Sequence, residues 1–306
     1  MKILIEPPTW LGDAVMATPT IEALLVAYPR AEVTLVGSLL SIEALKFHPQ
    51  VAHSEVLDKG WWALRRKAKA LGYFDLAFSF RSSARSAWFL FFLDAEKKCQ
   101  FPKSYSGMHQ VEKYHLFLQE CEEIGVIEAG RLKLYEEPYV YSRPTLGINP
   151  GATYGSAKRW YPEAFAEVAI ALSRKYDIVI FGGPGEETIS GDIESAIRKS
   201  GVENVENLAG KTTIPELISR IAGLSWLITN DSGPMHVAAA YQVPTVALFG
   251  PTKYKETSQW RNPQGHLLRK EMECSPCMKR SCPLKHHECM KLIKADEVIA
   301  VIQNEG

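Results

Sequence analysis

One carboxylate, Asp13, stands where a short apolar run hands over to a helical pattern, and three later loops combine small residues with charge. The loops are Asn149-Pro-Gly-Ala-Thr-Tyr-Gly-Ser-Ala-Lys-Arg-Trp160, Gly182-Gly-Pro-Gly-Glu186 and Asn230-Asp-Ser-Gly-Pro-Met-His236. Small residues let backbone N–H groups approach an anion, and Lys158 and Arg159 supply cations to meet it. Asp231, Ser232 and Gly233 fall at an expected helix start, where free N–H groups make a phosphate site. Taken together, the loops suit a nucleotide carrying a diphosphate. Taken singly, they are a solvated basic loop and ordinary helix caps. Asp13 has the same two readings, as a proton acceptor or as a cap that offsets the helix dipole.

The elements that would position these residues alternate strand and helix. Lys2–Glu6 is short, β-branched and closed by Pro7 and Pro8, which predicts a buried strand. A helix from Asp13 to Tyr28 follows, then a strand at Val33–Gly37, a helix near Ser41–Phe47 and a strand around Ser54–Leu57. A basic helix Trp61–Leu71, a strand Phe74–Phe80 and a helix Ala84–Leu93 complete the first half, with Trp88–Leu93 expected on the buried side of its helix. The proline-flanked stretch Glu136–Pro144 reads as a linker. After it the rhythm restarts through strands at Leu146–Asn149, Tyr176–Phe181, Trp226–Asn230 and Thr245–Phe249, with a short segment at Asn207–Gly210. Helices are expected at Pro162–Lys175, Glu186–Ser200, Pro215–Leu224 and Met235–Tyr241. This is the pattern of two parallel sheets wound with helices, and ligands of such sheets bind beyond the carboxyl ends of the strands. Two such domains imply a cleft between them.

Composition narrows the function. With 35 Lys+Arg against 35 Asp+Glu the formal net charge is zero, which argues against nucleic-acid binding by a basic surface. The first apolar run is too short for a secretory leader and the longest, Trp88–Leu93, too short for a membrane span, so a cytoplasmic address is expected. In that setting the six cysteines are expected as thiols or metal ligands. Cys274, Cys277, Cys282 and Cys289, with His286 and His287 between them, have the look of a zinc knuckle of irregular spacing; a reduced cysteine-rich loop is the other reading. No Gly-x-Gly-x-x-Gly follows either first strand and no P-loop exists, which argues against dinucleotide dehydrogenases and P-loop NTPases. No Asp-x-Asp pair exists to hold a divalent ion on a diphosphate, so Lys158, Arg159 and helix dipoles must neutralise it, with no cofactor or metal expected.

Four stretches carry a resemblance. Trp10-Leu-Gly-Asp-Ala-Val-Met-Ala-Thr-Pro19, Pro150–Trp160, Asn207-Leu-Ala-Gly210 and Thr229-Asn-Asp-Ser-Gly-Pro-Met-His-Val-Ala-Ala-Ala240 resemble the ADP-heptose:lipopolysaccharide heptosyltransferases of glycosyltransferase family 9, type II members more than type I. The resemblance implies an α/β GT-B fold, two Rossmann-like domains facing across a cleft, here 1–141 for the acceptor and 142–306 for ADP-heptose. It implies inversion at the transferred sugar without an obligatory metal. Asp13 matches the catalytic base, Lys158 the lysine near the diphosphate and Thr153 a phosphate contact. Glu186 matches the ribose-holding acid, Thr212 an adenine contact, and Asp231, Ser232, Gly233 and His236 the signature beside diphosphate and heptose. The implied acceptor is heptosyl-Kdo-lipid A, met at the inner face of the cytoplasmic membrane. Arg81 and Arg85, following a strand, are the expected acceptor contacts, whereas Arg65, Arg66 and Lys67 read as acceptor contacts or as a solvated helix face. Type I transfer to Kdo, a non-hydrolysing nucleotide-sugar epimerase and an idle nucleotide-sugar binder share much of this pattern. The idle binder would keep the second-half loops without needing Asp13.

Overall fold

The structure is a computed structural model that describes residues 1–122 and 128–305. It divides into two compact units, Met1–Glu136 and Glu137–Gly306. In the first unit the order is β1 (Lys2–Glu6), α1 (Leu11–Met16), α2 (Thr18–Ala27), β2 (Glu32–Gly37), α3 (Leu39–Leu45), β3 (Val51–Val56), α4 (Trp61–Ala70), β4 (Tyr73–Ser79), α5 (Ala84–Phe92), β5 (Asp94–Gln100) and α6 (Gln110–Cys121). Its five strands run parallel in the order β3-β2-β1-β4-β5. The chain steps outward from β1 to β3, then returns to the other side of β1. The strand order therefore reverses between β1 and β4, where the crossovers diverge and leave the strand ends uncovered.

The helix expected from Asp13 and the Trp88–Leu93 run both differ from the sequence expectation. The helix expected from Asp13 begins at Leu11 and is broken at Ala17 into α1 and α2. Pro19 lacks the N–H that would continue the ladder, and the Thr18 hydroxyl donates to the Val15 carbonyl at 2.7 Å in its place. The Trp88–Leu93 run is also split, with Phe89, Leu90 and Leu93 in a core with Leu4, Leu64 and Phe74 while Phe91 is exposed.

The second unit runs β6 (Thr145–Asn149), α7 (Pro162–Leu172), β7 (Asp177–Ile180), α8 (Glu187–Lys199), β8 (Val205–Asn207), α9 (Ile214–Ala222), β9 (Trp226–Asn230), α10 (Gly233–Ala240), β10 (Thr245–Phe249), α11 (Tyr254–Thr257), β11 (Gly265–Arg269), α12 (Glu288–Lys291) and α13 (Ala295–Glu305). All six strands are parallel, ordered β11-β10-β9-β6-β7-β8, so the reversal lies between β6 and β9. β6, β9 and β10 are buried along their whole length, as befits a sheet covered on both faces.

The division at Glu136/Glu137 comes five residues before the expected 141/142 boundary because the intervening segment is fastened to α9. Tyr139 N–H donates to the Ser219 carbonyl at 2.9 Å, the Ser219 hydroxyl donates to the Glu137 carbonyl at 2.6 Å, and Arg220 lies 4.3 Å from the Tyr139 ring centroid. Gly223 is needed for this approach, since a Cβ there would sit 1.9 Å from the Tyr139 carbonyl oxygen. Gly223→Ala should therefore lower the stability of the second unit by about 1–3 kcal/mol, read from urea unfolding.

Candidate functional site

The β6/β9 reversal gathers the charged residues of the second unit. β6 ends at Asn149 and releases the loop 150–160; β9 ends at Asn230 and releases 231–232 into α10. Lys158 and Asp231, expected on separate loops, meet here: Lys158 Nζ lies 2.7 Å from Asp231 Oδ2, with side chains 13% and 5% exposed. The ammonium also donates to the Asp231 carbonyl at 3.1 Å, and the Thr252 hydroxyl donates to Asp231 Oδ2 at 2.6 Å. An ammonium has three donors, so two are directed at Asp231 and one is left for a further acceptor.

Neither Asp231 nor Ser232 caps α10. Asn149 Nδ2 donates to Ser232 Oγ at 3.0 Å and to Thr229 Oγ1 at 3.2 Å, drawing the serine toward the end of β6. The start of α10 is thus left without a side-chain cap, an arrangement suited to an anion. His236 is buried in its first turn and Gly233 opens it. Asn230 ties the two loops, accepting from Trp160 N–H at 3.0 Å and donating to the Pro150 carbonyl at 2.8 Å.

Glu186 stands beyond β7, accepting from Gly183 N–H at 2.8 Å and lying 3.9 Å from the Arg159 guanidinium. Thr212 sits in the loop after β8, which is joined to the β7 loop by Gly210 N–H donating to the Gly182 carbonyl at 2.9 Å. Thr153 is exposed in the β6 loop. All of these expected residues follow the carboxyl ends of β6, β7, β8 or β9; direct contact joins Lys158 to Asp231, while Glu186 reaches Arg159 next door.

The β6 loop is braced by a segment 120 residues later. Ala157 N–H donates to the Arg280 carbonyl at 3.0 Å, and the Tyr154 hydroxyl donates to the Met278 carbonyl at 2.7 Å. His287 Nε2 donates to the Ala157 carbonyl at 2.8 Å, and its Nδ1 lies 3.2 Å from the Tyr161 hydroxyl. Lys158 Nζ lies 4.9 Å from the Tyr154 ring centroid. Gly155 permits the contact, as a Cβ there would lie 2.3 Å from the Arg280 carbonyl oxygen. Cys274, Cys277, Cys282 and Cys289 belong to this bracing segment as free thiols; among the described residues no three of their sulfurs lie within 4.8 Å of one another. Burial, then the neighbouring Cys274, Cys282 and Cys277, pushes the Cys289 thiol up to about 11. Cys99 and Cys121, expected as thiols or metal ligands, are joined to each other in a disulfide, because β5 and the end of α6 bring their Cα atoms to 6.1 Å.

In the first unit Asp13 lies in the first turn of α1, three residues past the N-cap Trp10. The cap position itself carries no side-chain hydrogen bond, so Asp13 sits where the dipole favours a carboxylate without being the N-cap. Tyr114, fully buried on α6, has its phenol pushed well above 10 by burial and further by the Asp13 charge. Arg81 follows β4, on the other side of the reversal, and its guanidinium lies 3.2 Å from Glu6, which is 1% exposed at the end of β1. Glu6 also accepts from the Ser79 and Ser86 hydroxyls at 2.6 and 3.0 Å. Burial raises the Glu6 carboxyl above the ordinary carboxylate value, while Ser79, Arg81 and Ser86 act against that rise. Arg85 donates to the Asp58 carbonyl. Tyr114 and Glu6 are the residues that sequence reasoning missed. Glu6 had a signal, a carboxylate closing an apolar strand, whereas Tyr114 had none.

The family model for Glycosyltransferase family 9 (heptosyltransferase) matches residues 108–288. Lipooligosaccharide heptosyltransferase 2 of Campylobacter jejuni is 40% identical over 99% of this chain and 98% of its own length. The chain belongs to glycosyltransferase family 9. It is thus a glycosyltransferase of the heptosyltransferase kind. Lipopolysaccharide heptosyltransferase 2 of Escherichia coli K12 is 28% identical over 82% of this chain and 83% of its own. The solved E. coli ADP-heptose lps heptosyltransferase II superposes with a TM-score of 0.79 at 24% identity over the full length of both chains, which identifies the fold as GT-B.

A mostly buried ion pair is costly to break from one side, since the remaining charge stays desolvated. Lys158→Met should lower stability by about 3 kcal/mol in thermal or chemical denaturation. Adding Asp231→Asn should recover part of the loss, because an amide needs no cation.

Proposed function

We propose that this chain is an inverting heptosyltransferase of type II, moving heptose from ADP-L-glycero-D-manno-heptose to the first heptose of the lipopolysaccharide inner core. The observation that carries the reading is the Lys158–Asp231–Thr252 cluster beside the uncapped start of α10, at the point where the sheet reverses. The free donor of Lys158 and the backbone N–H groups of Ser232 and Gly233 would take the diphosphate, with Thr153 beside them. Glu186 would hold the ribose and Thr212 the adenine, and Asp231, through Lys158, and His236 would complete the site around diphosphate and heptose. The second unit is then the donor-binding domain. The first is the acceptor domain, with Arg81 and Arg85 facing the anionic acceptor and Asp13 as base. Type II rather than type I rests on the likeness to relatives named heptosyltransferase 2.

In this scheme the acceptor hydroxyl oxygen forms a bond to the anomeric carbon as the carbon–oxygen bond to the β-phosphate breaks. Asp13 takes the hydroxyl proton and ADP leaves with the bonding pair. Lys158 meets the charge that develops on the departing phosphate, an interaction stronger in the transition state than in the ground state. No step requires a metal or cofactor. The reaction belongs at the cytoplasmic face of the inner membrane, where a lipid-borne acceptor would be presented.

The deciding experiment incubates the purified chain with ADP-heptose and Kdo-lipid A, with and without a first heptose. Transfer only to the heptosylated acceptor is expected. Transfer to unheptosylated Kdo would indicate type I, conversion of ADP-heptose without acceptor an epimerase, and binding without turnover an idle binder. Asp13→Asn should lower the rate by roughly 100-fold or more with folding little changed; near-normal turnover would remove Asp13 from the chemistry. Lys158→Ala should lower kcat/KM for ADP-heptose by about 10- to 1,000-fold, with Lys158→Arg recovering only part. EDTA should leave the rate unchanged; a loss restored by magnesium would contradict the scheme.

A further inference from the structure

Helices α4 and α5 of the first unit turn large aromatic side chains outward. Trp61 is 50%, Trp62 71% and Phe91 74% exposed. These rings form one continuous patch. Arg65 lies 5.8 Å from the Trp62 ring centroid and 5.0 Å from that of Phe92, and Phe92 is 4.9 Å from both Phe91 and Trp88. Trp88 in turn stands edge-on to Trp61 at 5.8 Å and donates its indole N–H to the Trp61 carbonyl at 3.3 Å, fixing the two helices to each other. Soluble surfaces expose such residues singly; a connected patch of this kind marks a contact surface.

The charge around the patch selects the partner. Residues 61–70 and 84–92 contain Arg65, Arg66, Lys67, Lys69 and Arg85 and no Asp or Glu, in a chain whose formal net charge is zero. Lys67 is matched by Glu55 of β3 and Arg85 by the Asp58 carbonyl, while Arg66 and Lys69 stand exposed. A protein interface core excludes lysine, whereas rings interleaved with Lys and Arg suit the headgroup layer of a bilayer, with aromatics at the acyl boundary and cations at the phosphates. No helix among the described residues is long and apolar enough to cross a membrane, so attachment through this face would be interfacial.

We propose that the α4–α5 face docks the protein on an anionic phospholipid bilayer, Trp62 and Phe91 entering the headgroup–acyl boundary and Arg66 and Lys69 pairing with lipid phosphates. The evidence is the surface itself; its use rests on the lipid-borne acceptor proposed above. The full chain should sediment with vesicles of phosphatidylglycerol and phosphatidylethanolamine, more weakly with phosphatidylcholine, and more weakly at raised salt. Trp62→Ser with Phe91→Ser should reduce the partition coefficient by roughly tenfold or more. Arg66→Gln with Lys69→Gln should reduce it by roughly fivefold for each cation removed. All four side chains are exposed, so thermal unfolding should not move. Quenching of wild-type tryptophan emission by brominated lipid tests insertion without any substitution. Absence of quenching, variants that sediment like wild type, or a wild type that ignores anionic vesicles while retaining an acidic protein would each overturn the proposal. Transfer to a deacylated, water-soluble acceptor without vesicles separates this from the functional reading. The Trp62/Phe91 variant should retain it, and its absence in wild type would defeat the functional reading whatever the vesicles show.

Discussion

The constraint on which the rest of each unit depends is the reversal of strand order in a parallel sheet. Parallel neighbours must be joined by crossovers, and the crossovers pack over the sheet in one sense as long as the chain keeps moving outward. When β4 returns beside β1, and β9 beside β6, the covering helices part and the loops at the strand ends lose their roof. Backbone groups and charges can remain there because water or ligand can reach them. Lys158 and Asp231 flank one reversal; Glu6 and Arg81 flank the other, with Asp13 in the helix that follows β1. The same geometry thus explains why charged side chains occur beside strands that are otherwise mostly buried.

The two-unit α/β plan was legible because short apolar runs, Pro and Gly punctuation and helical periodicity repeat along the chain. The strands in the middle of each sheet were the clearest, since burial on both faces demands Ile, Leu and Val without interruption. β5 was not legible: Asp-Ala-Glu-Lys-Lys-Cys-Gln has no strand signature, and it is held by its ladder with β4 rather than by burial. The α1/α2 break escaped for a different reason. A proline in the first turn of a helix is ordinary, so Pro19 announces a new start only if a break at Ala17 is already known.

Pairing was the least legible feature of the site. Sequence placed Lys158 and Asp231 on loops of the same sheet edge, yet their contact depends on β6 and β9 being neighbours, which is a fact of topology rather than of either loop. The cap reading of Asp231 and Ser232 failed on the same ground. Each could cap α10 locally, but Lys158 and Thr252 hold the carboxylate and Asn149 draws the hydroxyl, and those partners come from other strands. Trp62 and Phe91 show the converse. Helical periodicity assigns them to faces, while exposure depends on whether any neighbour arrives to cover them.

The position of Lys158 is set from a distance. The β6 loop contains three small residues among its first six after β6, so few of its own side chains can fix it. Its order is borrowed: Asn230 holds both ends, and the carbonyls of Met278 and Arg280 together with His287 hold the middle. In the proposed reaction Lys158 would meet charge developing on the leaving group, and a cation does this effectively only if it need not reorganise when the charge appears. Small residues that let a backbone approach an anion therefore require stiffness from elsewhere, and the cysteine-bearing segment supplies it. That requirement gives Gly155 a second reason to be glycine, since the absent Cβ is what allows the Arg280 carbonyl to come close enough to brace the loop.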